Sequence, residues 1–151
     1  MAKFLKFEFD GIDEYTESLK TLEENATGII KCGIYDGAGI ALEAVREAIR
    51  EVTSYEATGS LAESVNLQKH KEEDGYIYTK IIFPGYDENE VPQAIKARVL
   101  ENGRSDQERR VPTHFCSKAV RKAKTKIEGA MDTEINKRIY ELMRKNKGKA
   151  Q

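Results

Sequence analysis

Two histidines and two cysteines are the side chains that could bind a metal or act as a nucleophile. They are His70, His114, Cys32 and Cys116. His114 and Cys116 lie two residues apart and would share one face of an extended segment, but the other two lie far along the chain, without the paired spacing of zinc motifs. The sequence supports a Cys–His nucleophile no better than it supports a metal site. We therefore expect no metal, no cofactor and no enzymatic activity.

A glycine-rich segment and two serines are the remaining candidates for chemistry. Gly33 to Gly39 lacks the Gly-Lys-Ser/Thr ending of a nucleoside-triphosphate loop, and no strong strand precedes it. Ser60 and Ser64 have no base beside them in sequence, and Ser60 with Glu63 three residues later fits a capping box. These residues therefore predict local structure and not catalysis.

The stretch from Ala97 to Val120 runs from an apolar segment through a charged loop into a long helix. Asn102-Gly103 readily adopts positive φ and turns the chain, and Val111-Pro112 forces an extended approach to Phe115, an aromatic plug. A polar loop pinned at both ends commonly contacts partners, although such a run is equally well a solvated loop. The charged residues of the loop are Arg104, Asp106, Glu108, Arg109 and Arg110.

The net charge of −1 hides a strong asymmetry along the chain. Residues 1–95 carry 9 Lys+Arg against 19 Asp+Glu, whereas residues 96–151 carry 16 against 7. The basic half could fold back on the acidic half of the same subunit, meet the acidic surface of the next subunit in a head-to-tail ring, or bind nucleic acid. The overall pI of about 6.2 disfavours a dedicated DNA binder. We favour the ring.

The length of 151 residues predicts a single domain over residues 1–145, followed by a disordered tail over 146–151. Hydrophobic periodicity predicts both helices and strands within that domain. The predicted elements are a strand from Lys3 to Asp10, a helix from Asp13 to about Glu24 that Gly28 ends, a central helix from Ile29 to about Val52, a hairpin of Val65 to Gln68 and Tyr76 to Phe83 with Gly75 in its turn, a short helix from Gln93 to Leu100, and a long helix from Phe115 to about Lys145.

The two longest predicted helices carry the most specific expectations. The central helix is expected to bury a stripe whose glycines and alanines let another backbone approach closely. This stripe comprises Ile30, Ile34, Gly37, Ala41, Val45, Ala48 and Val52. At ~1.5 Å per residue the C-terminal helix is longer than a small domain needs, so the part past Ile135 is expected to project. Its first half carries a basic patch of Lys118, Arg121, Lys122, Lys124 and Lys126.

Three segments carry a family resemblance. Ala97 to Ser105 has the form A-x-x-L-E-x-G-R-S, and a P-x-x-F element ending at Phe115 follows it. Thr58 to Val65 has the form T-G-x-L-x-x-S-[IV], and Phe7 to Glu14 contains the end of a strand, a glycine and the start of a helix. In this order, across almost the full chain, the segments resemble the minor tail-component family of tailed bacteriophages, whose members sit at the neck or tail-completion position.

The resemblance implies an α+β fold, with an antiparallel β-sheet packed against a central helix and a long C-terminal helix. It also implies a structural virion protein that forms a ring, joins the head connector or stopper to the tail, and lets DNA pass without sequence-specific binding. The protein would be made in the host cytoplasm and then enter the virion; no window approaches 18 consecutive apolar residues, so we expect no membrane association. The expected subunit and partner contacts are Asp87, Glu88, Glu90, Glu101, Arg104, Asp106, Glu108, Arg109 and Arg110.

A small DNA-binding or regulatory protein is the alternative. The basic helix from Lys118 to Lys126 would then bind phosphates only, because aromatic residues for base stacking are missing there. Salt-dependent binding of duplex DNA would support this alternative.

Overall fold

The computed structural model describes residues 12–53, 60–105 and 110–149, in which helices dominate. The helices are α1 (Ile12–Val52), α2 (Ser60–Ser64), α3 (Gln93–Asn102) and α4 (Phe115–Lys149), and the strands are β1 (Asn66–Leu67), β2 (Lys71–Glu73), β3 (Tyr76–Tyr78) and β4 (Ile81–Ile82). The α+β class is confirmed in coarse form: the described strands form two short antiparallel pairs. The strand predicted from Lys3 to Asp10 lies outside the described residues.

Helix α1 is continuous over 41 residues. The sequence predicted a break at Gly28, and this prediction is wrong. Gly28 is exposed, and a Cβ added there would meet nothing within 4 Å, so the residue costs only about 1 kcal/mol relative to alanine. The neighbouring Ile29 is 9% exposed, and burying such a side chain contributes about 1.5–3 kcal/mol. Packing therefore outweighs the local propensity.

Helices α1 and α4 pack closely against each other. The buried residues of α1 recur every four positions: Ile29, Gly33, Gly37, Ala41, Val45 and Ile49. The predicted stripe is confirmed at its centre but wrong at its ends, because Ile30 and Val52 are both 40% exposed. The buried face follows Ile29 and Ile49 instead, and small residues occupy its middle.

The register of the two helices is antiparallel and depends on glycine. A Cβ added at Gly33 would lie 2.6 Å from Cγ1 of Ile135, and one added at Gly37 would lie 2.5 Å from Cγ of Met131. Four residues forward on α1 thus correspond to four residues back on α4. The part of α4 past Ile135 does not project alone, because α1 runs beside it.

We call the two regions of the molecule the body and the arm. The body contains α2, α3, the strands and the adjoining ends of α1 and α4. Its core comprises Val45, Ile49, Leu61, Ala62, Val65, Ala97, Leu100, Phe115 and Ala119. The arm comprises residues 12–40 of α1 and 124–149 of α4. Helix α4 continues to Lys149, so residues 146–149 of the predicted tail are helical, while residues 150 and 151 lie outside the described part.

The four strands form two nested antiparallel pairs, with β1 on β4 and β2 on β3. Asp74 and Gly75 have φ angles of 51° and 80° and turn the chain between β2 and β3. The backbone N–H of Gln68 donates to the carbonyl of Lys80 at 2.7 Å and links the two pairs. The predicted hairpin with Gly75 in its turn is confirmed. Strand β2 lies between the two predicted strands and extends the pairing.

Candidate partner-binding surfaces

The loop between α3 and α4 leaves the body through a fixed base. Gly103 has φ of 74°, as predicted for the Asn102-Gly103 turn. A Cβ added at Gly103 would lie 2.6 Å from the carbonyl oxygen of Arg110. Arg104 and Arg110 exchange backbone hydrogen bonds of 3.0 and 3.1 Å across the base, and both residues are exposed. The remaining predicted contacts of this loop, Asp106, Glu108 and Arg109, lie outside the described residues.

The Glu101 carboxylate ties the end of α3 to the start of α4. It accepts hydrogen bonds from the backbone N–H of Cys116 at 2.8 Å and of Ser117 at 3.2 Å, and from the Ser117 hydroxyl at 2.5 Å. A carboxylate is favoured there because the first N–H groups of a helix lack intrahelical partners. Burial raises the pKa of Glu101, but the hydrogen bonds from Ser117 and Cys116 outweigh burial and lower it overall. Glu101, a predicted partner contact, thus acts within its own subunit.

Phe115 anchors the other end of the loop. Its side chain is 3% exposed, and its ring packs edge-on against Phe83 at a centroid distance of 6.4 Å. The hydroxyl of Thr113 donates to the carbonyl of Leu100 at 2.6 Å. The predicted aromatic plug is therefore confirmed, and the loop is held to the body at both ends.

The acidic turn from Tyr86 to Glu90 is the second predicted contact surface. Oδ1 of Asp87 accepts hydrogen bonds from the backbone N–H of Asn89 at 2.9 Å and of Val91 at 2.8 Å. The other oxygen pairs with Lys96, and the Asp87 side chain is only 6% exposed. The bond to Lys96, followed by the backbone bonds, lowers the pKa of Asp87. Asp87 therefore shapes the turn. The exposed predicted contacts of this turn are Glu88 and Glu90.

Arg46 is a structural residue that sequence reasoning missed. Its guanidinium donates to the carbonyls of Ala62 and Val65, both at 3.1 Å, and it pairs with Glu43 on its own helix. These contacts fix the carbonyl end of α2 against α1. No local pattern could reveal them, because the carbonyls lie 16 and 19 residues away along the chain.

A groove of about 960 Å³ runs between α1 and α4. Among the described residues, those that line it belong to these two helices, together with Thr113, and none comes from α2, α3 or a strand. The floor is apolar and built mostly of small residues: Ile40, Ala44, Ala48, Val52, Phe115, Ala119 and Ala123.

The two walls of this groove carry opposite charge. The acidic wall on α1 comprises Glu43, Glu47 and Glu51, and the basic wall on α4 comprises Lys118, Lys122 and Lys126. One further carboxylate of α1, Asp36, lines the groove outside this row. Members of each wall are four residues apart and so lie on one helix face. Helix geometry therefore divides the predicted basic patch, because Arg121 and Lys124 do not line the groove.

The charge asymmetry of the sequence becomes an asymmetry between two packed helices. Helix α1 contains nine Asp+Glu and four Lys+Arg, whereas α4 contains eleven Lys+Arg and four Asp+Glu. Within the described ranges, no ion pair joins the two helices; the pairs on α4 are local, as in Lys124 with Glu128 and Arg138 with Glu134. The acidic and basic walls thus remain apart within one subunit.

The chemistry available to the described residues is limited. No group of three or more His, Cys, Asp or Glu side chains among them is placed to hold a metal ion. Cys32 and Cys116 are free thiols. Burial, and then the Glu101 carboxylate, raises the pKa of the Cys116 thiol, which suppresses the reactive thiolate. None of the described helices combines the length and apolar character needed to cross a membrane.

Comparisons of the chain with protein-family models, curated proteins and solved structures found no match. The features that bear on function are therefore those of the chain itself: the loop between α3 and α4, the acidic turn and the groove.

Proposed function

We propose that this chain is a structural subunit of the head–tail connection or tail-completion position of a tailed bacteriophage or prophage. It forms a ring that joins the connector to the tail and lets DNA pass, and it acts through protein contacts without catalysis. The carrying observation is the loop between α3 and α4, in which the residues that resemble the tail-component family hold the loop to the body.

Four of the specified positions of that segment have a structural task. Leu100 is 7% exposed in the core, Glu101 binds the start of α4, Gly103 supplies the positive φ, and Phe115 closes the core. The spacing L-E-x-G followed by P-x-x-F therefore builds an anchored base for the charged residues between Gly103 and Pro112. An anchored loop loses less conformational entropy on binding a neighbour than a free one.

The second resembling segment gives independent support. Leu61, Ala62 and Val65, within the T-G-x-L-x-x-S-[IV] element, are buried in the same core as Leu100 and Phe115. The hydroxyl of Ser64 donates to the carbonyl of Leu61 at 2.8 Å, as expected of a structural serine. Both segments thus contribute to the core of the body, whose loop and acidic turn are the proposed contact surfaces.

The alternative, a DNA-binding or regulatory protein, receives less support from the geometry. Lys118, Lys122 and Lys126 face the acidic wall across the groove, so a duplex phosphate that approached these lysines would also approach carboxylates. Titration of duplex DNA at low and high salt tests the alternative directly. Tight binding with a steep salt dependence would favour it over the virion proposal.

Deletion of the gene in the phage or prophage that encodes the chain tests the proposal. We expect electron micrographs to show filled heads and unattached tails, and plasmid-borne wild-type protein to restore joined particles. A protein with Arg109→Glu and Arg110→Glu should fold but fail to restore joining. Lys137→Glu with Arg144→Glu makes the same charge change on the arm and should restore it. Joined particles in the deletion strain would refute the proposal.

A further inference from the structure

We infer that the groove between α1 and α4 docks a second copy of this chain, through a two-fold axis parallel to the two helices. The contact is separate from the proposed ring contact and does not rest on it. A two-fold contact uses the same surface on both copies and is complete with two subunits. The proposed ring contact instead uses the loop between α3 and α4 and the acidic turn.

The groove floor leaves apolar surface uncovered in a single copy. Val52 is 40% exposed, and Ile40, Ala44 and Ala48 are only partly buried. The separation of packed helices depends on the side chains at the contact, so a floor rich in alanine permits the close approach of another helix layer. A partner that buries this floor must also form ion pairs with two walls of opposite charge.

The two walls stand at matching heights along the helices. The contacts of Gly33 with Ile135 and of Gly37 with Met131 set the antiparallel register. When this register is continued toward the body, each residue of the acidic wall lies level with a lysine of the basic wall. The match holds to within one residue, or ~1.5 Å along the helix axis. The level pairs are Glu43 with Lys126, Glu47 with Lys122, and Glu51 with Lys118.

Charge complementarity selects the symmetry of the second copy. A two-fold axis parallel to the helices preserves heights and exchanges the sides of the groove, so α1 of each copy lies over α4 of the other. The acidic wall of each copy then faces the basic wall of its partner at matched heights. An in-plane axis perpendicular to the helices would place α1 over α1 and carboxylates over carboxylates, which is repulsive. The favoured arrangement is an antiparallel four-helix bundle.

Charge reversal of one wall at a time tests the contact in the full chain. Glu47→Lys with Glu51→Lys makes both walls basic, and Lys118→Glu with Lys122→Glu makes both acidic. We expect wild-type protein to be a dimer by analytical ultracentrifugation, and each variant to dimerise more weakly by a factor on the order of 100 or more, because lost attraction and new repulsion occur at four positions per dimer.

Restoration of dimerisation would distinguish the loss of a specific contact from damage to the fold. An equimolar mixture of the two variants should form a one-to-one dimer, identified by native mass spectrometry, and one chain carrying all four substitutions should dimerise again. The matched controls make the same charge changes on the same helices outside the groove lining. Glu23→Lys with Glu24→Lys, and Arg121→Glu with Lys124→Glu, should dimerise as the wild type does.

Any one of the following results would overturn the inference: a wild-type chain that stays monomeric at high micromolar concentration, reversed variants that dimerise like the wild type, or a mixture that stays monomeric. A wild-type ring that is sensitive to reversal of Arg109 and Arg110 but not of the groove walls would overturn this contact while leaving the proposed function intact. If the wild-type protein dimerises through the groove walls but a phage that lacks the gene still joins heads and tails, the proposed function is refuted and this contact stands.

Discussion

The body and the arm share the same two helices but are held together differently. In the body, α1 and α4 pack with α2, α3 and the strands around one apolar core, and Arg46 and Glu101 bond separate elements to one another. In the arm, α1 and α4 contact each other along a stripe in which Gly33 and Gly37 lie against Ile135 and Met131. The body therefore depends on burial by many elements, whereas the arm depends mainly on shape at the interface between α1 and α4. One ion pair, from Lys31 of the arm to Glu72 of β2 at 3.6 Å, joins the arm to the strands.

This difference predicts unequal resistance to opening. Regions with few buried apolar contacts open at lower free energy than a core does. The arm buries one stripe per helix and leaves side chains such as Tyr15 and Tyr140 64% and 69% exposed. We therefore expect arm amides to exchange with solvent by local opening, and body amides to exchange mainly by global unfolding.

Removal of the Phe115 side chain should have the largest effect and should break the body. A Phe→Ala change in a core costs about 3–5 kcal/mol, and Phe115 is 3% exposed. Urea unfolding followed by circular dichroism measures the loss. Tyr140→Ala removes an exposed aromatic ring from the arm and should stay within about 0.5 kcal/mol of the wild type. Equal losses for the two variants would contradict the comparison.

Gly103→Ala should also destabilise the body, by about 1–3 kcal/mol or more, because its conformation is essentially restricted to glycine. Gly103 has φ of 74° and ψ of −175°, and a Cβ there would approach the Arg110 carbonyl to 2.6 Å. Gly85→Ala is the matched control, since Gly85 has φ of 82° but open space around it. Thermal unfolding of both variants should show the larger loss for Gly103→Ala; the reverse order would argue against a fixed loop base.

Gly37→Leu should destabilise the arm by about 1–3 kcal/mol, because overpacking forces neighbouring side chains aside. A Cβ at Gly37 already approaches Met131 to 2.5 Å. Native-state hydrogen exchange should show faster exchange in the arm and little change in amides of α2 and α3. Gly28→Ala, in open space, should instead stabilise the helix by about 1 kcal/mol. Uniformly faster exchange after Gly37→Leu would show that arm and body unfold as one unit.

The smallest expected effect is the loss of the carboxylate at the start of α4. Glu101→Gln should cost about 1 kcal/mol at pH 7, as loss of a helix cap typically does. The folded-state pKa of Glu101 lies below its ordinary value of 4.5. The stabilisation is therefore complete above the unfolded pKa and is lost as the pH falls through the folded pKa. Urea unfolding should show the two proteins converging below about pH 4.5; a constant difference would contradict this.

Local signals in the sequence predicted much of the body. The turn at Gly103 and the plug at Phe115 follow from residue types that permit few alternatives, and the helix starting at Phe115 follows from its periodicity. The roles of Asp87 and Glu101 could not be predicted, because a carboxylate in a charged loop has the same sequence signature whether it binds a partner or its own backbone.

The arm and the groove were less predictable because they depend on tertiary register. A stripe followed through apolar residues passes along Ile30, whereas the structure buries Ile29 and then two glycines, which carry no hydrophobic signal. The spacing of four residues between Glu47 and Glu51, and between Lys118 and Lys122, is visible in the sequence. That these rows face each other across one groove follows only from the antiparallel alignment of α1 and α4.

The antiparallel arm also gives a small protein an obvious polarity. Helix α1 has 41 residues and so spans ~60 Å, with Ile12 near the end of α4 at one pole and the loop between α3 and α4 at the other. In electron micrographs of any assembly, the arm acts as a direction marker for each subunit. Rotation axes parallel to the helices leave all arms pointing the same way, so the projection of the arms distinguishes parallel from inverted packing before any side chain is resolved.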